Sequence, residues 1–149
     1  MQVRIQNYLL NEAIEFFYNL KLKGRQSRMR SKLIRMLNTR AEEFVEQQKE
    51  LLKEHCNLEN GEPKIIKNEQ GVDVYDIKDL EAYGKDRQEL FSEEYVIEGA
   101  DNDLMIKTVR TVLDECDIEL SGRKAVLYEQ LCEIFKVDEQ LEEETEDNW

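Results

Sequence analysis

An uninterrupted stretch from Ser27 to His55 constrains this chain more than any other feature. Read at heptad spacing, it places Ile34, Leu37, Ala41, Phe44, Gln48, Leu51 and His55 on one seam, with Leu33, Val45 and Leu52 beside it. That stripe is wide enough for a core-facing helix. No Gly or Pro breaks it, and Ala, Leu, Glu, Gln, Lys and Arg dominate, all good helix formers. At 1.5 Å per residue the helix runs roughly 40 Å, so it buries its stripe only if other segments align along it.

Those other segments are short. Residues 2–5 alternate polar and apolar side chains and predict a strand. Asn7 is placed to cap a first helix, striped by Leu10, Ala13, Ile14, Phe17 and Leu20 and closed at Lys23-Gly24. The gap to the long helix is brief, which predicts an antiparallel hairpin in which the first helix covers about half of the second. Asn60-Gly61 and Pro63 end the long helix. Residues 64–67 and 72–75 flank a Gly-containing turn and predict a β-hairpin. Asp76 is the expected cap of a third helix over residues 77–93, followed by a strand over 95–98. A fourth helix starts at Asp101 or Asp103, and a fifth is capped by Ser121.

The predicted fold is α+β and helix-dominated. It comprises an N-terminal antiparallel helical hairpin with one long helix, a small antiparallel sheet or hairpin, and a C-terminal helix pair covering the rest of the long helix. An acidic disordered tail follows. The division is a single domain over residues 1–137 and a tail over 138–149.

Of 149 residues, 34 are acidic and 21 basic, for a net charge of −13, and the two signs are separated along the chain. Eight basic and no acidic residues lie between Lys21 and Arg40, whereas 32 acidic face 12 basic residues from Ala41 onward. Seven acidic residues and no basic one fall between Asp138 and Asp147. The longest apolar runs are four or five residues, so no membrane span is expected. Glu12 and Glu15 argue against a secretory signal over residues 1–20. Cys56, Cys116 and Cys132 form no close pair and fit free thiols in a reducing cytosol.

The motif Asn19-Leu20-Lys21-Leu22-Lys23-Gly24, followed by Ser27-Arg28-Met29-Arg30-Ser31-Lys32, resembles an uncharacterised family of small phage and prophage proteins of Gram-positive bacteria. The resemblance continues through Leu58-Glu59-Asn60-Gly61-Glu62-Pro63 and Glu93-Glu94-Tyr95-Val96-Ile97-Glu98-Gly99, covering roughly the first 100 residues. It implies a phage-encoded protein acting in the cytoplasm of an infected bacterium or in the virion, and it brings no assigned activity.

Three surfaces compete for a role. A carboxylate-covered C-terminal half imitates phosphate spacing and fits a basic groove on a host nucleic-acid-handling or defence protein. Its candidate residues are Glu119, Glu129, Glu133, Glu142, Glu143, Glu144, Glu146 and Asp147, with Trp149 as an apolar anchor. The plain alternative is a solubilising surface and an unstructured tail. Secondly, Arg28, Lys32 and Arg35 share a helical face, with Arg25 just before them. Cations so spaced contact successive phosphates, or they pair with the chain's own acidic half. Thirdly, the long helix offers a contact for oligomers, either as a virion structural or assembly accessory protein or as a coiled-coil dimer set by Gln48 and His55. The chain is expected to be a monomer or a homodimer.

No enzyme is expected: the sequence has one His, no Gly-rich phosphate loop and no Ser nucleophile elbow. No cofactor and no metal are expected either. His55 and Cys56 are sequence neighbours and point to different sides of a helix. Asp101-Asn102-Asp103 begins like a calcium loop but lacks Gly at position six and Glu at twelve.

Overall fold

The computed structural model describes residues 1–139. Its axis is helix α2 (Gly24–His55), whose 32 residues span roughly 48 Å. Around it lie β1 (Gln2–Gln6), α1 (Leu10–Tyr18), α3 (Leu80–Ser92), β6 (Glu94–Glu98), α4 (Ala100–Asp114) and α5 (Gly122–Ile134). Between α2 and α3 the chain makes four short strands, β2 (Leu58–Glu59), β3 (Glu62–Pro63), β4 (Ile65–Lys67) and β5 (Asp73–Tyr75). The helix-dominated α+β architecture is thus as the sequence predicts.

The predicted small sheet is three separate two-stranded antiparallel ladders: β1 with β6, β2 with β3, and β4 with β5. The first joins the segment before α1 to the segment between α3 and α4, Gln2 opposite Glu98 and Ile5 opposite Tyr95. Its alternation places Val3, Ile5 and Ile97 in the core. Helix α1 runs antiparallel to the first half of α2, and Arg30 closes their hairpin by donating to the carbonyls of Phe17 and Leu20. Phe17 lies in the last turn of α1, where carbonyls lack an i+4 partner, and Leu20 follows the helix.

Helix α4 lies on the same half of α2, where Lys32 Nζ donates to the Asp101 carbonyl at 2.7 Å and Gln26 Nε2 to Glu115 at 3.3 Å. The C-terminal pair therefore does not cover the rest of the long helix. Helix α3 does so, with Phe91 edge-on to Phe44 at 4.9 Å and Tyr83 edge-on to His55 at 5.5 Å. The core side of α2 is Leu33, Leu37 and Phe44, with Ile34, Ala41 and Leu51 partly buried and Val45 exposed. The real stripe thus sits nearer Leu33 than Ile34, because α1 and α4 flank the helix on that side.

Several element ends differ from expectation. Asn7 does not cap α1; it begins a 3-10 turn (Asn7–Leu9), is 1% exposed, and turns inward. Gly24 does not close α1 but opens α2, with φ +55°. Asp76 does not cap α3, because the chain stays extended through a bridge between Cys56 and Ile77. Asp79 caps it instead, accepting from the backbone N–H groups of Glu81 and Ala82. Helix α4 starts at Ala100, which leaves Asp101 and Asp103 in its first turn, favourable for the positive end of the helix dipole. Ser121 precedes α5 as expected, without a side-chain hydrogen bond to it.

Candidate functional site

Of the acidic residues singled out from the sequence, Glu119, Glu129 and Glu133 are exposed, the last two one turn apart on α5. Glu142, Glu143, Glu144, Glu146, Asp147 and Trp149 lie outside the described residues. The basic block is thinner than its sequence suggests. Arg25, Arg28 and Arg35 are exposed on α2, but Lys32 is half-buried on the Asp101 carbonyl. Arg30 and Arg40 are likewise engaged inside the fold. Among the described residues, Lys32 reaches the acidic half through the Asp101 backbone carbonyl, Arg40 lies 3.6 Å from the Glu43 carboxylate of its own helix, and Arg30 donates to carbonyls that precede α2.

A denser group of carboxylates lies elsewhere. Glu50 and Glu54 on α2 face Asp86, Glu89 and Glu93 from α3 and its C-cap, across a groove of about 280 Å³ floored by Leu51 and Leu90. Gln47 also lines it, and its Oε1 is buried without a hydrogen-bond partner. The groove is therefore rich in acceptors. Each residue is unremarkable in sequence; only the antiparallel register of α2 and α3 gathers them. That register is held at one end by His55 Nε2 and Asp86 Oδ2, 2.7 Å apart.

The most unusual surface is the arm over residues 57–80. It is tied to α2 by the hydrogen bond from Lys78 N to the His55 carbonyl, and its two ends are joined by that from Asn57 N to the Asp76 carbonyl. Beyond that root and an ion pair of 3.5 Å between Lys53 and Glu62, nothing among the described residues covers it. Ile65 is 57% exposed, Val72 56% and Tyr75 48%, and Ile66 and Val74 on the opposite face are exposed too. Leu58 and Leu80 extend the apolar surface at the root. The sequence predicts this hairpin, but apolar residues on both faces already imply that one layer of protein is missing from each side.

The three thiols are dispersed. Cys56 is fully buried, and burial pushes its pKa above the ordinary 9.0, with Asp76 adding to the rise. Cys132 is raised chiefly by burial. Tyr128 is raised strongly, first by burial and then by its hydrogen bond with Cys132. Among the described residues no three His, Cys, Asp or Glu side chains are placed to hold a metal ion. Nor is any helix long and apolar enough to cross a membrane.

These elements define a class: a helix-dominated α+β protein strung along one long helix, with an uncovered β-arm and an acidic groove at that helix's far end. The chain belongs to the family described as Protein of unknown function (DUF1617), whose pattern matches residues 1–144. The match extends past the first 100 residues that carried the sequence resemblance and takes in α4 and α5. No curated protein and no solved structure matches the chain.

Proposed function

We infer that this is a phage-encoded, non-enzymatic protein-interaction protein that docks through the arm over residues 57–80, in the infected bacterium or in the virion. One observation carries the reading: a two-stranded hairpin with apolar side chains exposed on both faces and nothing among the described residues packed on either. Isolated hairpins of this kind are marginal in water, and contiguous exposed apolar surface marks contact sites. The motifs quoted from residues 19–32 support the phage origin, and an accessory role in virion structure or assembly is the form of contact that an apolar arm favours. Full-length protein used as bait in a lysate of infected Gram-positive cells should capture a protein that Ile66→Thr/Val74→Thr/Tyr75→Thr protein does not. Identical captures by both would overturn the reading.

A second reading rests on the α2–α3 groove. Five carboxylates over an apolar floor, with the unpartnered Gln47 Oε1 among them, suit a Lys- or Arg-bearing segment of a host nucleic-acid-handling or defence protein. Capture by the groove weakens as salt rises, whereas capture by the arm persists. Glu50→Lys/Glu89→Lys should abolish the first and spare the second.

A further inference from the structure

The arm carries two unpaired strand edges, and they are complementary to each other. Asp76 N donates to the Lys64 carbonyl and Asn68 N to the Val72 carbonyl, which fixes 64/76 and 68/72 as hydrogen-bonded pairs. In an antiparallel ladder such pairs recur every second residue, so Ile66 and Val74 form the next. The backbone groups of Ile65 and Lys67 on β4, and of Asp73 and Tyr75 on β5, then point away from the hairpin. Ile77 N takes the Tyr75 carbonyl. The other outward groups have no strand beside them among the described residues.

The two edges differ in charge. β4 and its flank read Lys64-Ile65-Ile66-Lys67, and β5 and its flank read Asp73-Val74-Tyr75-Asp76. Antiparallel pairing of β4 with β4, or β5 with β5, of another copy sets Lys67 opposite Ile65, or Asp73 opposite Tyr75, and brings the two like charges together on the diagonal. Pairing β4 of one copy with β5 of the next sets Lys67 opposite Asp73 and Ile65 opposite Tyr75. This is the register already found inside the hairpin, where Lys67 and Asp73 are 3.5 Å apart. Opposite charges and aromatic–β-branched pairs are the favourable cross-strand combinations.

The geometry points to a second copy of this chain as the arm's partner, joined head to tail with the β4 edge of one copy on the β5 edge of the next. This rests on the reading of the arm as a docking element. Because the two edges are different surfaces, the contact is heterologous: it leaves a free edge at each end and builds a ring or a fibre rather than a closed dimer. Lysines on strand edges commonly discourage pairing, but here each faces an aspartate of the neighbouring copy.

Sedimentation velocity of the full chain across a concentration series tests this. Species larger than a dimer, growing with concentration, are expected. Ile65→Pro removes an N–H that the hairpin itself does not use, so it should abolish assembly with an unchanged thermal melt. Added in small amounts to the natural protein, it should shorten the assemblies by capping the end that presents a free β4 edge. Lys67→Asp and Asp73→Lys should each weaken assembly roughly fivefold, and an equimolar mixture of the two should recover it. Recovery by mixing cannot arise from the pair within one hairpin. A monomer up to the solubility limit, or a dimer indifferent to Ile65→Pro, would overturn self-assembly. Loss of lysate capture in the arm variant would still stand for docking to a different protein.

Discussion

Arg40 and Asn7 meet inside the protein, Arg40 Nε donating to Asn7 Oδ1 at 3.1 Å. Asn7 in turn donates through Nδ2 to the Leu90 carbonyl at 2.9 Å and through its backbone N–H to the Glu93 carbonyl at 2.9 Å. The guanidinium of Arg40 also lies 5.7 Å from the centroid of the Tyr95 ring. One carboxamide therefore ties the end of β1 to the middle of α2 and the end of α3.

Asn7→Ala removes two buried hydrogen bonds, one of them to a guanidinium, while the Leu90 carbonyl keeps the Glu93 N–H and Arg40 keeps Glu43, and it should cost about 2–4 kcal/mol. For a chain of this size that lowers Tm by roughly 4–16 °C, readable by calorimetry. A loss below about 1 kcal/mol would mean that water replaces both bonds.

Arg110 is 7% exposed and donates through Nε to the carbonyl of Phe135, the C-cap of α5. A cation at that end also meets the negative pole of the helix. Arg110→Met keeps the aliphatic length and removes the charged donor, so a loss of about 1.5–3 kcal/mol is expected. Amide exchange should accelerate first in the last turn of α5; uniform acceleration would show that the contact is not local.

Asp79 and Asp76 make a matched pair of variants. Asp79→Ala removes an N-cap and should cost about 1 kcal/mol. Asp76→Ala loses an exposed hydrogen bond from Asn57, at 3.0 Å, and should cost less. Urea titrations of the two that rank them the other way would contradict the observed start of α3.

Alkali should unfold the protein earlier than its carboxylates alone suggest. Cys56 and Cys132 have pKa values raised above 9.0, and Tyr95 and Tyr128 above 10.0, burial being the first cause in all four. Each group holds its proton to higher pH in the folded chain than in the unfolded one. Their contribution is thus intact below pH 9 and is lost as pH climbs through the folded values. Denaturant midpoints should fall between about pH 9 and 11, with a shallower fall in Cys56→Ser/Cys132→Ser protein. A flat profile in that window would be inconsistent with these shifts.

The long helix was legible because its signals are local: no breaker from Gln26 to Asn60, strong helix formers throughout, and Asn60-Gly61 beyond its end. What decided the rest was non-local. Asp76 and Asp79 look alike as caps, and only the bridge between Cys56 and Ile77 selects the second. Asn7 resembles a cap until Leu90 and Arg40 are placed beside it. Arg30, Lys32 and Arg40 read as a charged patch, yet all three donate inward, a distinction carried by partners from 10 to 69 residues away. The carboxylate groove was illegible for the same reason, since Glu54 and Asp86 become neighbours only when α3 folds back. The arm was the opposite case: its strands were readable, and so was the apolar character of both faces.

The pairing of β1 with β6 sets an order of events during synthesis. Gln2 and Glu98 are hydrogen-bonded across 96 residues, so β1 leaves the ribosome roughly 5–20 s before its partner strand. In that interval Val3 and Ile5 are bare, and the helical hairpin must form without the strand that later closes over it. A nascent chain stalled before Glu94 would therefore leave β1 open to proteases.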